Sequence, residues 1–157
     1  MNKQDQVLTG FRELMNKMTW LNKSKMEKAL KGYKPSEVHF IEYIGRNADS
    51  NVTRLAESFY MTRGAISKIS RKLMEKGVIE SYQKPDNKKE IYFRLTARGR
   101  EVYAVHEALH NAFQKRDKPV FDTITDGQLN DMLCFMETYT RHLDAEIEKL
   151  NTRLKPK

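Results

Sequence analysis

Apolar residues recur every three or four positions along most of this chain, and one short stretch breaks that rhythm. Val7, Leu8, Phe11, Leu14, Met15, Met18 and Leu21 form a single stripe and predict a long helix over residues 4–30, ended by Gly32. Pro35, with Ser36 and Glu37 beside it, opens a second helix to about residue 46, its apolar face made by Val38, Ile41 and Ile44. The polar stretch 47–51 reads as a turn in which Ser50 or Asn51 caps a short third helix over 52–59. After Tyr60 and Met61, Thr62 caps a fourth helix over 63–76. Ile66, Ile69, Leu73 and Met74 point inward, and Gly77 is suited to the C′ position. The period then falls to two. Residues 78–82 and 91–95 read as strands, and the Lys-Pro-Asp-Asn-Lys-Lys segment 84–89 reads as the turn between them. Thr96 begins a fifth helix that Pro119 interrupts near residue 118, and a sixth runs over 125–154. Leu129, Met132, Leu133, Met136, Leu143, Ile147, Leu150 and Leu154 make a seam along it, with Tyr139 alongside.

This order predicts a mainly α fold with a small β-hairpin wing: a winged helix-turn-helix joined to a helical stem. The chain reads as one unit, residues 1–157. Within it, 35–95 is the winged lobe, 96–118 a linking helix, and 1–32 with 119–157 the stem helices. The stem carries more apolar stripe than one lobe buries, and a two-fold dimer of interlocked terminal helices is the simplest cover.

Charge sharpens the picture. The net charge is +8. Between residues 62 and 100, eleven basic residues meet four acidic ones, a surplus of seven. From residue 120 onward, five basic residues meet seven acidic ones. The cationic surface therefore coincides with the helix-turn-helix and its wing, and it points to a polyanion, double-stranded DNA above all. A helix enters the major groove by its first turns, where small residues permit close approach and long cationic arms reach bases and phosphates. Thr62, Gly64, Ala65 and Ser67 are the small residues, and Arg63, Lys68 and Arg71 the arms. Thr53 and Arg54, at the start of the preceding helix, and Lys84, Asn87, Lys88 and Lys89, on the wing, complete the expected DNA contacts.

Other readings are weaker. No run approaches the roughly 18 apolar residues of a membrane span. The polar N-terminus has no secretory h-region, and the single Cys134 suits a reducing cytosol, so a cytoplasmic protein without membrane partners is expected. Cys134 has no cationic neighbour in sequence to activate it. No phosphate-binding glycine loop, nucleophile elbow or Cys-x-x-Cys is present, which argues against an enzyme. His106-Glu-Ala-Leu-His110 matches the zinc-peptidase string in letters, so a peptidase stands as a remote alternative. A non-specific architectural DNA protein is a nearer one.

The segment from Val52 to Gly77 resembles the helix-turn-helix of the MarR family of bacterial regulators. Asp86-Asn-Lys-Lys-Glu-Ile-Tyr-Phe-Arg-Leu-Thr-Ala-Arg-Gly99 resembles that family's wing, second strand and start of helix five. The resemblance covers nearly the whole chain. It implies a homodimeric transcriptional regulator, a repressor in the first instance, that acts on a pseudo-palindromic operator and responds to a small molecule or a metal. One departure is at the wing tip, where the family usually carries arginine and this chain carries Lys88 and Lys89. Lysine keeps the charge and loses the planar fork, so these contacts are expected to fall on phosphate.

The resemblance also suggests effectors. Zinc-responsive members use one histidine on helix two and two on helix five, and His39, His106 and His110 fall at those positions. Zinc is thus a candidate cofactor. The fourth ligand of those proteins, late in helix one, has no acidic match around Trp20, with Glu27 nearby and Glu13 more distant. A small aromatic acid is the other candidate, in a cleft expected to involve Trp20 and Tyr43 along with Met18, Met26 and Tyr33.

Overall fold

The computed structural model describes residues 2–154. Six helices and three strands follow in the order α1 (Lys3–Ala29), α2 (Pro35–Arg46), β1 (Ser50–Asn51), α3 (Val52–Phe59), α4 (Arg63–Glu75), β2 (Ile79–Lys84), β3 (Asn87–Leu95), α5 (Ala97–Phe121) and α6 (Asp126–Leu154). The strands form one antiparallel sheet in the order β1-β3-β2. The chain divides into two compact units, the first ending at Phe113 and the second beginning at Gln114, inside α5.

The first unit has a closed core. Phe40, Ile41 and Ile44 of α2 meet Leu55 of α3, Ile66 and Leu73 of α4, Val78, Ile79 of β2, and Phe93 and Leu95 of β3. Local chemistry sets the ends of the helices around it. Asn51 accepts the Arg54 amide at 2.8 Å and Thr62 accepts the Ala65 amide at 3.2 Å, which satisfies orphan donors at the starts of α3 and α4. Gly77 closes α4 at φ +70°, with its amide on Met74 O and the Val78 amide on Leu73 O. Lys76 at that end reaches back to the start of α2. Its ammonium donates to both oxygens of the buried Glu37, at 3.0 and 2.9 Å, and to Gly32 O at 2.7 Å. Glu37 Oε1 also accepts the Lys34 amide at 2.9 Å, so the carboxylate is fully partnered. Gly99 marks a close approach of α5 to the lobe: a Cβ there would lie 1.9 Å from Val78 O.

Three details depart from the expected elements. The hairpin turn is shorter than 84–89, because β2 runs on to Lys84 and β3 begins at Asn87, leaving only Pro85 and Asp86 between them. Asn87 Oδ1 accepts the Lys89 and Glu90 amides and Gln83 Nε2 donates to Lys88 O at 2.8 Å, which keeps the tip ordered past a register shift at Tyr82/Lys84. Pro119 does not stop α5 at 118; the helix reaches Phe121. Proline in a last turn forfeits one backbone bond, and Asp122 N to Lys118 O at 3.1 Å closes the end. Finally, Ser50 and Asn51 form a short strand against Phe93 and Tyr92.

The terminal helices are built differently. No residue of α1 is buried, and Val7, Leu14, Met15, Met18, Trp20 and Leu21 are exposed. In the second unit, Met132, Leu133, Phe135, Met136, Tyr139, Leu143 and Leu150 of α6 are exposed as well. The side chain of Leu154, the last position of the seam, lies outside the described residues.

Candidate nucleic-acid interface and a neighbouring donor cluster

Helices α3 and α4 are joined by Tyr60 and Met61. Tyr60 takes the left-handed conformation, φ 52°, which turns the chain sharply enough to lay α4 across α3. The apolar face of α4 buries Ile66 and Leu73, and its other face carries Arg63, Gly64, Lys68 and Arg71, all exposed. Ala65 and Ser67 lie half-buried between them, and Thr62 stands at the entry. Arg63 Nη1 donates to Thr53 Oγ1 at 2.6 Å, so two of the expected contact residues brace one another across the turn. Arg54 is exposed and donates to Asp49 O at 3.2 Å. At Gly64 a Cβ would meet nothing within 4 Å, so packing inside the lobe does not demand glycine there. A glycine in the first turn of a helix costs up to about 1 kcal/mol against alanine.

The cations of this region fall into two classes. Lys76, Lys84 and Arg94 are held in ion pairs with Glu37, Asp49 and Glu80, at 2.9, 2.7 and 2.8 Å. Lys68, Arg71, Lys88 and Lys89 enter no ion pair among the described residues. The unpaired set occupies the exposed face of α4 and the wing tip, beside the exposed Asn87, where a polyanion would supply the missing charge.

A family model described as the MarR family matches residues 34–91, which is α2 through most of β3. The HTH-type transcriptional regulator PchR of Bacillus subtilis (strain 168) is 34% identical over 111 residues, 71% of this chain and 66% of PchR. The chain belongs to the MarR family. The uncharacterized HTH-type transcriptional regulator YhjH of the same organism is 36% identical over 94 residues, 60% of this chain and 54% of YhjH. The matched stretch thus spans just under two thirds of PchR and about half of YhjH. Among solved structures, that of Streptococcus pneumoniae FabT in complex with DNA has the same fold, with a TM-score of 0.77 at 17% identity over 91% of this chain and 99% of FabT.

A second cluster forms where α2 of this MarR-family lobe faces α5. His106 and His110, one turn apart on α5, place their Nε2 atoms 3.0 Å from each other, and Glu42 Oε2 lies 3.8 Å from His106 Nε2. Their three donor atoms lie within 4.8 Å of one another. His106 is buried, and its Nδ1 has no hydrogen-bond partner among the described residues. Burial holds its pKa below the ordinary 6.5, with the neighbouring His110 adding to that, so the imidazole stays neutral. His39 lies at the edge of this trio and lines a cleft with His106. Its side chain is largely exposed on α2 and approaches Glu42, Nδ1 to Oε2 3.9 Å. Glu42, one helical turn along from His39, is the α2 donor that gathers with His106 and His110. Glu107, the glutamate of the peptidase-like string, accepts Arg46 Nη2 at 2.7 Å, and that bond holds its pKa low. A carboxylate neutralised by guanidinium is a poor general base.

Trp20 and Tyr43, expected to share a cleft, are not brought together. Trp20 is 79% exposed and lines an open groove with Leu21, Lys23 and Lys31 of α1 and the turn after it. Tyr43 packs on the core, edge-on to Phe59 at 5.8 Å. A separate cleft of about 120 Å³ opens between the end of α1 and α2, lined chiefly by Met26, Leu30, Tyr33, Val38, His39 and His106.

Proposed function

We propose that this chain is a cytoplasmic transcriptional regulator, a repressor, that binds double-stranded DNA as a homodimer. The observation that carries this reading is the set of unpaired cations on α4 and the wing tip, set against three paired ones in the same region. In this reading α4 enters the major groove. Arg63, Lys68 and Arg71 reach base edges and phosphates, Thr62, Gly64, Ala65 and Ser67 let the helix lie close, and Thr53 and Arg54 steady the flanking backbone. Asn87, Lys88 and Lys89 reach phosphates beside that groove. The exposed apolar residues of α1 and α6 support dimerisation through a stem formed by residues 1–32 and 119–157, with 96–118 linking it to the lobe. Two lobes held in this way would meet half-sites about 34–36 Å apart. The test is a fluorescence titration of a duplex from upstream of the chain's own gene against a random duplex of equal length. A dimer with strong preference for the first is expected; equal affinity for both would favour a non-specific architectural protein.

The effector reading that an observation favours is a divalent metal of the zinc class, held by Glu42, His106 and His110. Donors about 2.0–2.1 Å from a tetrahedral ion lie roughly 3.3 Å apart, close to the 3.0 and 3.8 Å separations found here. His106 is already neutral, as ligation requires. Bound there, the ion would tie α2 of the lobe to α5 and act as a corepressor, to the extent that it binds one conformation better than another. A zinc titration with operator affinity as readout tests this in the wild type beside His106→Ala and His110→Ala. No response in the wild type, or an equal response in the double variant, would leave the cleft beside α2, with a small organic ligand, as the sensing site.

A further inference from the structure

The base of the wing is fastened to the loop between α2 and β1 by one acidic residue. Asp49 sits in the left-handed region at φ +57°, a conformation aspartate tolerates better than most residues. From there its carboxylate faces β2. Oδ1 accepts the Tyr82 hydroxyl at 2.5 Å and Oδ2 accepts Lys84 Nζ at 2.7 Å. The Lys84 ammonium also lies 4.8 Å over the ring of Tyr92 on β3, and the rings of Tyr82 and Tyr92 stack with centroids 5.5 Å apart. Arg94 continues the array, 4.9 Å over Tyr82 while paired to Glu80. The next two residues after Asp49 are β1 itself, laddered to Phe93 and Tyr92. Both wing strands are thereby tied to one point of the lobe. Asp49 is held well ionised by the Lys84 and Tyr82 hydrogen bonds, and Lys84 is held protonated by Asp49.

We infer that Asp49, Tyr82 and Lys84 form a positioning clasp that sets the angle of the wing, so that Lys84 serves DNA binding by aiming Lys88 and Lys89 and not by touching a phosphate. The inference rests on the DNA-binding reading above and reassigns one residue within it. It also gives an opposite sign to one substitution. Were Lys84 a phosphate ligand restrained by Asp49, removing the aspartate charge would free a cation, tighten binding and steepen its salt dependence. As a clasp, the same change slackens the wing and weakens binding.

The experiment is a set of titrations of the full chain against the upstream duplex at several KCl concentrations, with Asp49→Asn, Tyr82→Phe, Lys84→Met, Lys84→Arg and Lys88→Ala beside the wild type. Tyr82→Phe removes one hydroxyl, keeps the stacked ring and changes no charge. Loss of that single hydrogen bond is expected to weaken binding about fivefold. Asp49→Asn is expected to weaken it at least as much, with both variants keeping the wild-type salt slope. Lys84→Arg keeps the pair and the ring contact and restores affinity. Lys88→Ala flattens the slope by about 0.9. Tighter or unchanged binding by Asp49→Asn overturns the clasp, and so does a Lys84→Met slope as flat as that of Lys88→Ala. Amide hydrogen exchange on the free protein tests the clasp independently of DNA. Residues 84–90 should exchange faster in Tyr82→Phe while α2 and α4 keep their protection; an unchanged wing, or equal loss in both places, contradicts the clasp. If the wild type bound neither duplex, the DNA reading would fall while the exchange data still judged the clasp.

Discussion

The winged lobe and the terminal helices answer the same problem in opposite ways. In the lobe, α2, α3, α4 and the sheet turn their apolar residues toward one another until Leu55, Ile66, Leu73 and Val78 are wholly buried. Its surface is then free to carry charge. In α1 and α6 the apolar residues recur just as regularly, yet none of α1 is buried and Leu143 and Leu150 of α6 are 46% and 56% exposed. A regular stripe specifies a helix in both places; in the lobe the chain itself buries that stripe, and in α1 and α6 most of it stays exposed. The lobe is complete as a single copy, and the terminal helices have the composition of an interface.

The strongest way to break this comparison is to charge the exposed seam. Leu143→Asp with Leu150→Asp should convert the dimer to a monomer in sedimentation, with the lobe's folded signal retained. Operator affinity should then drop by about 100-fold or more, as one lobe must bind without its tethered partner. A double variant that stays dimeric would remove α6 from the interface. Next in size is a cavity in the lobe. Leu73→Ala should cost about 2–5 kcal/mol in denaturant unfolding, whereas Leu133→Ala on α6, at 63% exposure, should cost a single copy far less. Equal losses would mean that the two regions are not built differently.

Smaller effects sharpen the picture of the lobe's surface. Arg71→Ala and Lys68→Ala should each lower operator affinity by about 10- to 100-fold with no change in thermal midpoint, since both are exposed and unpaired. A fall in midpoint that matched the fall in affinity would assign them to stability instead. The smallest effect concerns the buried Glu37. Burial pushes its pKa up, but the Lys76 hydrogen bond and the Lys34 amide outweigh that and leave it below the ordinary 4.5. As pH falls, the unfolded chain therefore takes the proton first. The stabilisation is whole above about pH 4.5 and drains away as pH drops through the lower, folded value. Glu37→Gln should flatten stability against pH in that window, as read by urea unfolding at stepped pH; an unaltered profile would show that the pair does not carry it.

Much of the lobe was legible because local chemistry and periodicity agree there. Asn51, Thr62 and Gly77 act at the helix ends where their side chains, or lack of one, suit the backbone. What escaped was of two kinds. Some features are too short to leave a pattern, such as β1 with two residues, or the two-residue turn at Pro85 and Asp86 hidden in a longer polar run. Others join residues far apart in sequence. Asp49 and Lys84 are 35 positions apart, and Glu42 meets His106 only because α2 packs beside α5. Glu42 had one signal available, an acid one turn after His39 on the same helix. Nothing in the sequence separated the paired Lys84 from the unpaired Lys88, and nothing kept Trp20 and Tyr43 apart.

The central claim is sequence-specific binding of DNA by two copies of this chain. Its most direct test is a stoichiometric titration of the upstream duplex, at fixed salt, with mass of the complex read by sedimentation and a random duplex as competitor. Two chains per duplex are expected, with a preference of about 10³ or more over random DNA. One chain per duplex, or competition by random DNA at equal concentration, would contradict the claim.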